Sequence, residues 1–236
     1  MIILGVDTSA VAASAAVIKD GKLISESYVN TGLTHSQTVM VLIDSALNNA
    51  SVAFSDVDAV AVSAGPGSFT GIRIGVSAVK GLCFTENKPC CAVSTLEAMA
   101  NCADTDGFII CPVMDARCNQ VYTALFRKSD NGIVRISEDA PLKLDELCEK
   151  LREFDERILL IGDGADISYK FLSEKGLDVR KFSEVFKYQH ASGVAITALR
   201  HYNKGKDFIS ASELVPTYLR LSQAERELKK SGDDKK

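Results

Sequence analysis

Apolar residues fall along this chain in short blocks divided by turn formers, and the blocks switch between a two-residue and a helical period. Residues 2–7 form a continuous apolar run closed by Asp7, the pattern of a strand buried on both faces. Strands over 12–19 and 22–29 follow across Asp20-Gly21, a dipeptide suited to the type I′ hairpin turn. In the second of them Leu23, Ser25, Ser27 and Val29 alternate with Ile24, Glu26 and Tyr28. Helical spacing then takes over in a helix capped by Thr34 or Ser36 and running to Ala50. The pattern continues with a strand over 57–63, a helix over 70–84, a short strand over 89–93 and a helix over 95–103.

The order then restarts. Residues 108–115 are again an apolar strand closed by an acid, Asp115. Strands over 120–127 and 132–136 flank Asn131-Gly132, a second hairpin dipeptide. A helix over 144–153, a strand over 157–162, a helix over 165–174, a strand over 177–182 and a helix over 191–203 complete the half. The string βββαβαβα thus occurs twice, without sequence identity between the halves. This element order resembles the two-lobed actin-like (ASKHA; sugar kinase, Hsp70 and actin) α/β fold, whose ligand sits in the cleft between lobes. The expected lobes are 1–104 and 105–213, the first completed by a C-terminal helix near 214–229, its polar part near 222–230. The charged end, 230–236, is expected to be disordered.

Composition narrows the classes. The 236 residues are 46% hydrophobic and 25% charged, which suits a folded domain and excludes a low-complexity chain. The net charge of -4 argues against a surface that holds a nucleic-acid backbone by itself, so any work on RNA is expected through a partner. Seven cysteines without a C-x-x-C spacing read as buried reduced thiols, which places the chain in the cytosol. No apolar run approaches the ~20 residues of a membrane-spanning helix. The three histidines, His35, His190 and His201, form no pair at helical spacing, so neither a metal site nor Cys/His catalysis is expected.

The strongest local signal is Gly65-Pro66-Gly67-Ser68-Phe69-Thr70-Gly71-Ile72-Arg73-Ile74-Gly75. It reads either as an anion site at a helix N-terminus or as a tight strand-to-helix connection in which the glycines permit close packing. It is no Walker A loop, because Lys-Ser/Thr does not follow the last glycine. The helix after it carries a thin polar stripe of Arg73, Ser77 and Lys80, and the helix before it is apolar at Val39, Met40, Val41, Leu42, Ile43, Ala46 and Leu47. A surface helix needs an apolar face of about 100°, and both helices exceed it. They are therefore expected to offer a second apolar face to a partner, with Met40, Ile43, Leu47, Ile72, Val76 and Val79 on it and Gly71 and Gly75 in a groove of small residues.

Asp7-Thr8 and Asp115 end equivalent strands, positions that face the cleft of an open α/β sheet and could hold Mg²⁺ on a nucleotide. Gly162 and Gly164 flank a further strand-to-helix turn, at the place of an adenosine pocket or of a plain cap. The turn after Asp115 reads Ala-Arg-Cys-Asn and lacks the glycine a phosphate hairpin needs, which weighs against phosphoryl transfer.

Gly5-Val6-Asp7-Thr8-Ser9, the run from Gly65 to Gly75, Asp115-Ala116-Arg117 with Val121-Tyr122, and Pro216 with Tyr218-Leu219-Arg220 ahead of Ala224-Glu225 together resemble the TsaB (YeaZ) family. Gln120 departs from the acidic residue more usual there. The resemblance implies an actin-like fold without catalytic residues of its own. It implies a subunit that binds TsaD and supports transfer of a threonylcarbamoyl group to adenosine beside the tRNA anticodon. The first two long helices would dock on TsaD, or on a second copy when the chain is alone, in a bundle of four helices. A TsaE-type ATPase would share the complex, tRNA would be contacted only indirectly, and no cofactor is implied beyond weak or interface-shared ATP or ADP. The metal-binding histidines of TsaD would fall on Thr95 and Met99, neither a ligand for a hard divalent ion. A small kinase or ATPase using Asp7 and Asp115, and more remotely a metallo-glycoprotease, are the alternative readings.

Overall fold

In the computed structural model, which describes residues 1–220 apart from 104, 118, 131 and 207, two sheets face each other across a pair of helices. The first half runs β1 (Ile2–Asp7), β2 (Ala13–Lys19), β3 (Lys22–Val29), α1 (His35–Ala50), β4 (Ala59–Gly65), α2 (Phe69–Glu86), β5 (Cys90–Ser94) and α3 (Thr95–Cys102). Its sheet has the order β3-β2-β1-β4-β5, antiparallel through the β1–β3 meander and parallel from β1 to β5. The positive φ of Asp20 and Gly21 makes the expected hairpin turn.

The second half runs β6 (Phe108–Asp115), β7 (Gln120–Thr123), β8 (Phe126–Ser129), β9 (Gly132–Arg135), β10 (Ala140–Lys143), α4 (Leu144–Leu151), β11 (Arg157–Ile161), α5 (Ala165–Glu174), β12 (Val179–Lys181) and α6 (Ala191–Asn203). The order β10-β7-β6-β11-β12 repeats that of the first sheet. Two strands differ from the sequence reading. The expected strand 120–127 is broken between β7 and β8, although both pair with β6 in one register. Pro112 of β6 lies opposite the break, and a proline has no N–H to give the ladder. The third strand is broken as well: β9 covers β8 and β10 covers β7. β10 escaped the sequence reading because it is four residues long and contains Pro141, tolerated here on an edge strand.

Alternate residues of the central strands feed different layers. In β1, Leu4 and Val6 pack under α1 and α2, while Ile3 packs under Val194, Ala195 and Ala198 of α6. In β6, Ile109, Cys111 and Val113 pack under α4 and α5, while Ile110 and Met114 meet Leu96, Met99 and Ala100 of α3. Each half therefore sends its third helix across, so that α3 covers the second sheet and α6 the first. The two crossing helices meet where Gly193 lies: a Cβ there would fall 2.4 Å from the Ala98 carbonyl oxygen. Beside this contact the Asn101 amide donates to Thr197 Oγ1 (2.7 Å).

Residues 214–220 are not helical, contrary to the expected C-terminal helix, whose remainder lies outside the described residues. They form an extended strap held at both ends. Lys80 Nζ donates to the carbonyls of Ser212 and Leu214, Thr217 N to Ala64 O, and Arg220 to Ala116 O on the second half. The six described cysteines are free thiols, buried or half-buried. Among the described residues no helix is long and apolar enough to cross a membrane.

Candidate docking face and interlobe cleft

The glycine-rich run is a structural knot. Ser68 caps α2 by accepting from Gly71 N (3.2 Å), and its own N–H donates to Ser9 O (2.7 Å). Thr8 Oγ1 donates to Gly71 O (2.7 Å), and a Cβ on Gly71 would lie 2.1 Å from Thr8 O. Gly67, at φ 156, presses on Ser9 O, and Gly65, at φ 131, on Thr217 O. The start of α2 is thus docked on the turn after β1 and on the strap, as the close-packing reading of the motif expects. The three sequence pieces Asp7-Thr8-Ser9, Gly65–Gly75 and Pro216–Arg220 are one packed unit.

Asp7 is consumed inside this unit. It is 1% exposed; its Oδ1 accepts from Ser9 N (2.9 Å) and Ser9 Oγ (2.8 Å), and its Oδ2 accepts from Ser63 Oγ. Burial pushes its carboxyl above the ordinary range, against the pull of these donors. A carboxylate so occupied does not fit a metal-bound nucleotide. Thr8, fully buried, is likewise spent on Gly71.

A cavity of about 590 Å³ does lie between the halves. Its walls are the β1–β2 turn (Ser9, Ala10, Val11), the α2 start (Gly67 to Thr70), the β6–β7 turn (Asp115, Ala116, Arg117) with Tyr122, Asp163, and the strap from Thr217 to Arg220. Of the residues expected to bind a nucleotide, Asp115 faces this cleft, with Oδ1 accepting from Arg117 N (2.7 Å). Gly162 and Gly164 are packed against the end of β6 instead: a Cβ on Gly162 would meet Val113 O at 2.2 Å, and Gly164 N donates to Val113 O (3.0 Å). Between them stands Asp163, which the sequence reading passed over as part of a turn. Burial pushes its carboxyl up to about 6, aided by the charge of Asp115 and opposed by backbone N–H groups, and its Oδ1 has no partner among the described residues.

The positions matching a metal pair are Thr95, fully buried with Oγ1 unpartnered, and Met99, whose sulfur accepts from the Gln189 amide (3.5 Å). Neither side chain suits a hard cation. Among the described residues no three His, Cys, Asp or Glu side chains form a metal-sized group. The Glu97 carboxylate nearby joins the halves: it takes His201 Nε2 (2.9 Å) from α6 and Arg135 NH2 (3.1 Å) from β9. Burial alone would push Glu97 up, but these two partners outweigh it and bring the carboxyl down to about 2.

The helix pair α1–α2 needs a correction at the level of residues. Ile43, Leu47, Ile72, Val76 and Val79 all lie in the chain's own core, 9% exposed at most. Gly71 and Gly75 face Thr8 first: a Cβ on Gly75 would fall 2.4 Å from Thr8 Oγ1, and one on Gly71 would fall 2.1 Å from Thr8 O, with the His35 ring at the start of α1 next at 3.3 Å. The two glycines bring α2 onto the end of β1, and Ala78, the third small residue of the stripe, lies on the outward side. Of the eight expected positions, Met40 alone is exposed, at 45%. An apolar outer face is nevertheless present. Ile74 and Ala78 of α2 and Val39 and Met40 of α1 line a groove of about 560 Å³ whose upper end is Phe69 and Arg73. On the same two helices Val41 and Phe84 are 66% and 77% exposed. One signal for the register was in the sequence: Arg73 and Ser77 mark the solvent side of α2, and Ile74 and Ala78 adjoin them.

Comparison with known proteins follows the fold. The family profile described as TsaD, tRNA N6-adenosine threonylcarbamoyltransferase, matches residues 30–228. The tRNA threonylcarbamoyladenosine biosynthesis protein TsaB of Bacillus subtilis is 33% identical over 226 residues, 95% of this chain and 96% of the relative. Among solved structures, an uncharacterized Pseudomonas aeruginosa protein with similarity to peptidase YEAZ superposes with a TM-score of 0.79 at 25% identity, covering 93% of this chain and 99% of the other. Component A of the Acidaminococcus fermentans (R)-2-hydroxyglutaryl-CoA dehydratase shares the fold alone, with a TM-score of 0.52 at 14% identity over 88% of this chain and 100% of the other.

Proposed function

The chain belongs to the TsaB family of tRNA threonylcarbamoyladenosine biosynthesis proteins, and from that premise we propose that it acts as a non-catalytic subunit that docks on a TsaD-type transferase through the outer face of α1 and α2. The groove between these helices carries the proposal. A folded chain seldom leaves Met40, Val41 and Phe84 exposed along one helix pair without a surface to cover them. The match to the TsaD profile gives this chain and a TsaD-type transferase related folds, so the pair can meet through equivalent surfaces in the manner of a two-fold dimer. The same face then serves a homodimer when the chain is alone. The internal use of Asp7 and the chemistry of Thr95 and Met99 support the absence of catalysis in this chain.

In that setting threonylcarbamoyl transfer to N6 of adenosine beside the anticodon is the work of the partner. The net charge of -4 leaves most tRNA contact to the partner too. A TsaE-type ATPase in the same complex and a cytoplasmic location belong to the same reading. The interlobe cavity favours one addition, weak or interface-shared ATP or ADP at Asp115, Arg117 and Arg220. A hydrolytic mechanism centred on Asp7 is not supported, because that carboxylate is occupied.

The test is co-elution with a purified TsaD-type chain in gel filtration. Met40→Asp and Ser77→Arg, both at exposed positions, should abolish the complex and leave the melting temperature of the isolated chain unchanged. Co-elution retained by both variants refutes the docking face. Turnover of substrate by the isolated chain refutes the non-catalytic role.

A further inference from the structure

Arg73 stands at the upper end of the α1–α2 groove in a fixed pose. Its guanidinium carbon lies 3.9 Å from the centre of the Phe69 ring, and its Nε donates to Tyr218 Oη (2.8 Å). Phe69 in turn stacks on Tyr218, with ring centres 4.8 Å apart. Tyr218 belongs to the strap and is 145 positions away in the chain, and the strap is tied down at Thr217 and Arg220. The guanidinium is therefore clamped from two elements although it is exposed to solvent. Its two terminal NH₂ groups have no hydrogen-bond or ion-pair partner among the described residues.

An exposed arginine with no partner normally samples many rotamers, and holding it still costs side-chain entropy. Here stacking on Phe69 and the hydrogen bond to Tyr218 have already met that cost, so little is lost when an anion arrives. The free edge is a planar two-donor fork, the geometry that grips a carboxylate with two parallel hydrogen bonds. It sits beside an apolar groove, the layout of a docking face with a charged residue at its rim.

We infer that Arg73 is the specificity-determining anchor of the docking face, receiving a carboxylate from the partner's helix as its apolar residues enter the groove at Met40, Ile74 and Ala78. The inference rests on the docking reading above. A protein carboxylate is favoured over a nucleic-acid phosphate because the fork adjoins apolar surface and the chain as a whole is acidic. Tyr218 is then a positioning residue, acting through the guanidinium it aims.

Calorimetric titration of the purified TsaD-type partner, between 50 and 500 mM NaCl, tests this. Arg73→Glu should weaken binding by roughly 30-fold or more, since it leaves the partner's carboxylate unpaired at the rim, and should flatten the salt dependence. Arg73→Lys should lose less, because it keeps the charge but not the fork, and Tyr218→Phe should weaken binding with the salt dependence intact. A charge-reversed acid on the partner should rescue Arg73→Glu. If Met40→Asp abolishes binding while Arg73→Glu keeps wild-type affinity and salt dependence, the anchor is refuted and the docking face stands. If Met40→Asp binds as wild type, the docking face itself falls. Arg73→Glu that keeps partner affinity but costs the assembled complex its tRNA binding would assign the fork to phosphate and overturn the carboxylate.

Discussion

Thr8 and Gly71 hold each other across 63 positions of sequence: the threonine hydroxyl donates to the glycine carbonyl at 2.7 Å, and the glycine has no room for a Cβ against the threonine carbonyl. Replacing Gly71 by Ala places a carbon 2.1 Å from that oxygen, so the start of α2 must lift from the turn after β1. The expected cost is about 3 kcal/mol or more, at the large end for single substitutions. Thr8→Val, which removes one donor from a Gly71 carbonyl that keeps its helical partner, should cost less, about 1 kcal/mol. Urea unfolding of both variants checks the order: an Ala variant as stable as wild type would mean that the knot is loose.

The same contact changes how interface variants are to be read. Gly75→Arg and Ile72→Asp look from sequence like surface disruptions, but Ile72 is 1% exposed and Gly75 abuts Thr8. Both should lower the melting temperature by 10 °C or more, on the order of 4–8 °C per kcal/mol for a small domain and about half that for a chain of this size. Loss of partner binding in them would report unfolding. Circular dichroism melts, set beside those of Met40→Asp, separate the two cases.

Glu97 gives the fold a dependence on acid. Its carboxyl is at about 2 in the folded chain, below the ordinary 4.5, because His201 and Arg135 outweigh its burial. A depressed carboxyl contributes stability that is complete above about 4.5 and is lost as the pH falls towards 2. The contribution is of order 1–3 kcal/mol, and it ties α3, α6 and β9 together. Glu97→Gln should therefore lower stability at pH 7 and bring wild type and variant together near pH 2. Parallel curves across that range would show that the bridge adds nothing.

The layers of the fold were legible because β1 and β6 are apolar at every position up to the acid that closes each, which requires cover on both faces, and because Asp20-Gly21 fixes a hairpin by local chemistry alone. What covers each face was not legible. Ile3 carries no mark saying that α6 will reach it from the other half, and Arg73 carries none pointing to Tyr218. Gly71, Gly75 and Ala78 announced a close approach to α2, and the structure supplies two different neighbours: Thr8 for the glycines and open groove for Ala78. A small-residue stripe encodes distance; the identity of what comes near is set by topology. The cleft acids show the same limit. Asp7 and Asp115 end equivalent strands, yet one is sealed by Ser9 and Ser63 and the other lines a cavity.

Asp163 offers the sharpest test of whether that cavity is built for a ligand or left over from packing. Burial raises its carboxyl from 3.8 to about 6, so ionisation is opposed by the fold. A raised carboxyl is without penalty below about 4 and becomes costly as the pH climbs through 6. At pH 7 the penalty is of order 3 kcal/mol, which an amide of the same shape does not incur. Asp163→Asn should thus leave stability unchanged at pH 4 and raise it at pH 7 by up to that amount. Asp163 shares the cleft wall with Arg117 and Arg220, and a buried acid in a cleft is a candidate for a ligand contact. The variant should accordingly bind ATP or ADP, or the transferase partner in their presence, differently from wild type at pH 7 and equally at pH 5. Denaturant titrations at the two pH values read the first effect and calorimetry the second; a variant that gains stability and changes no binding would mark the cavity as inert.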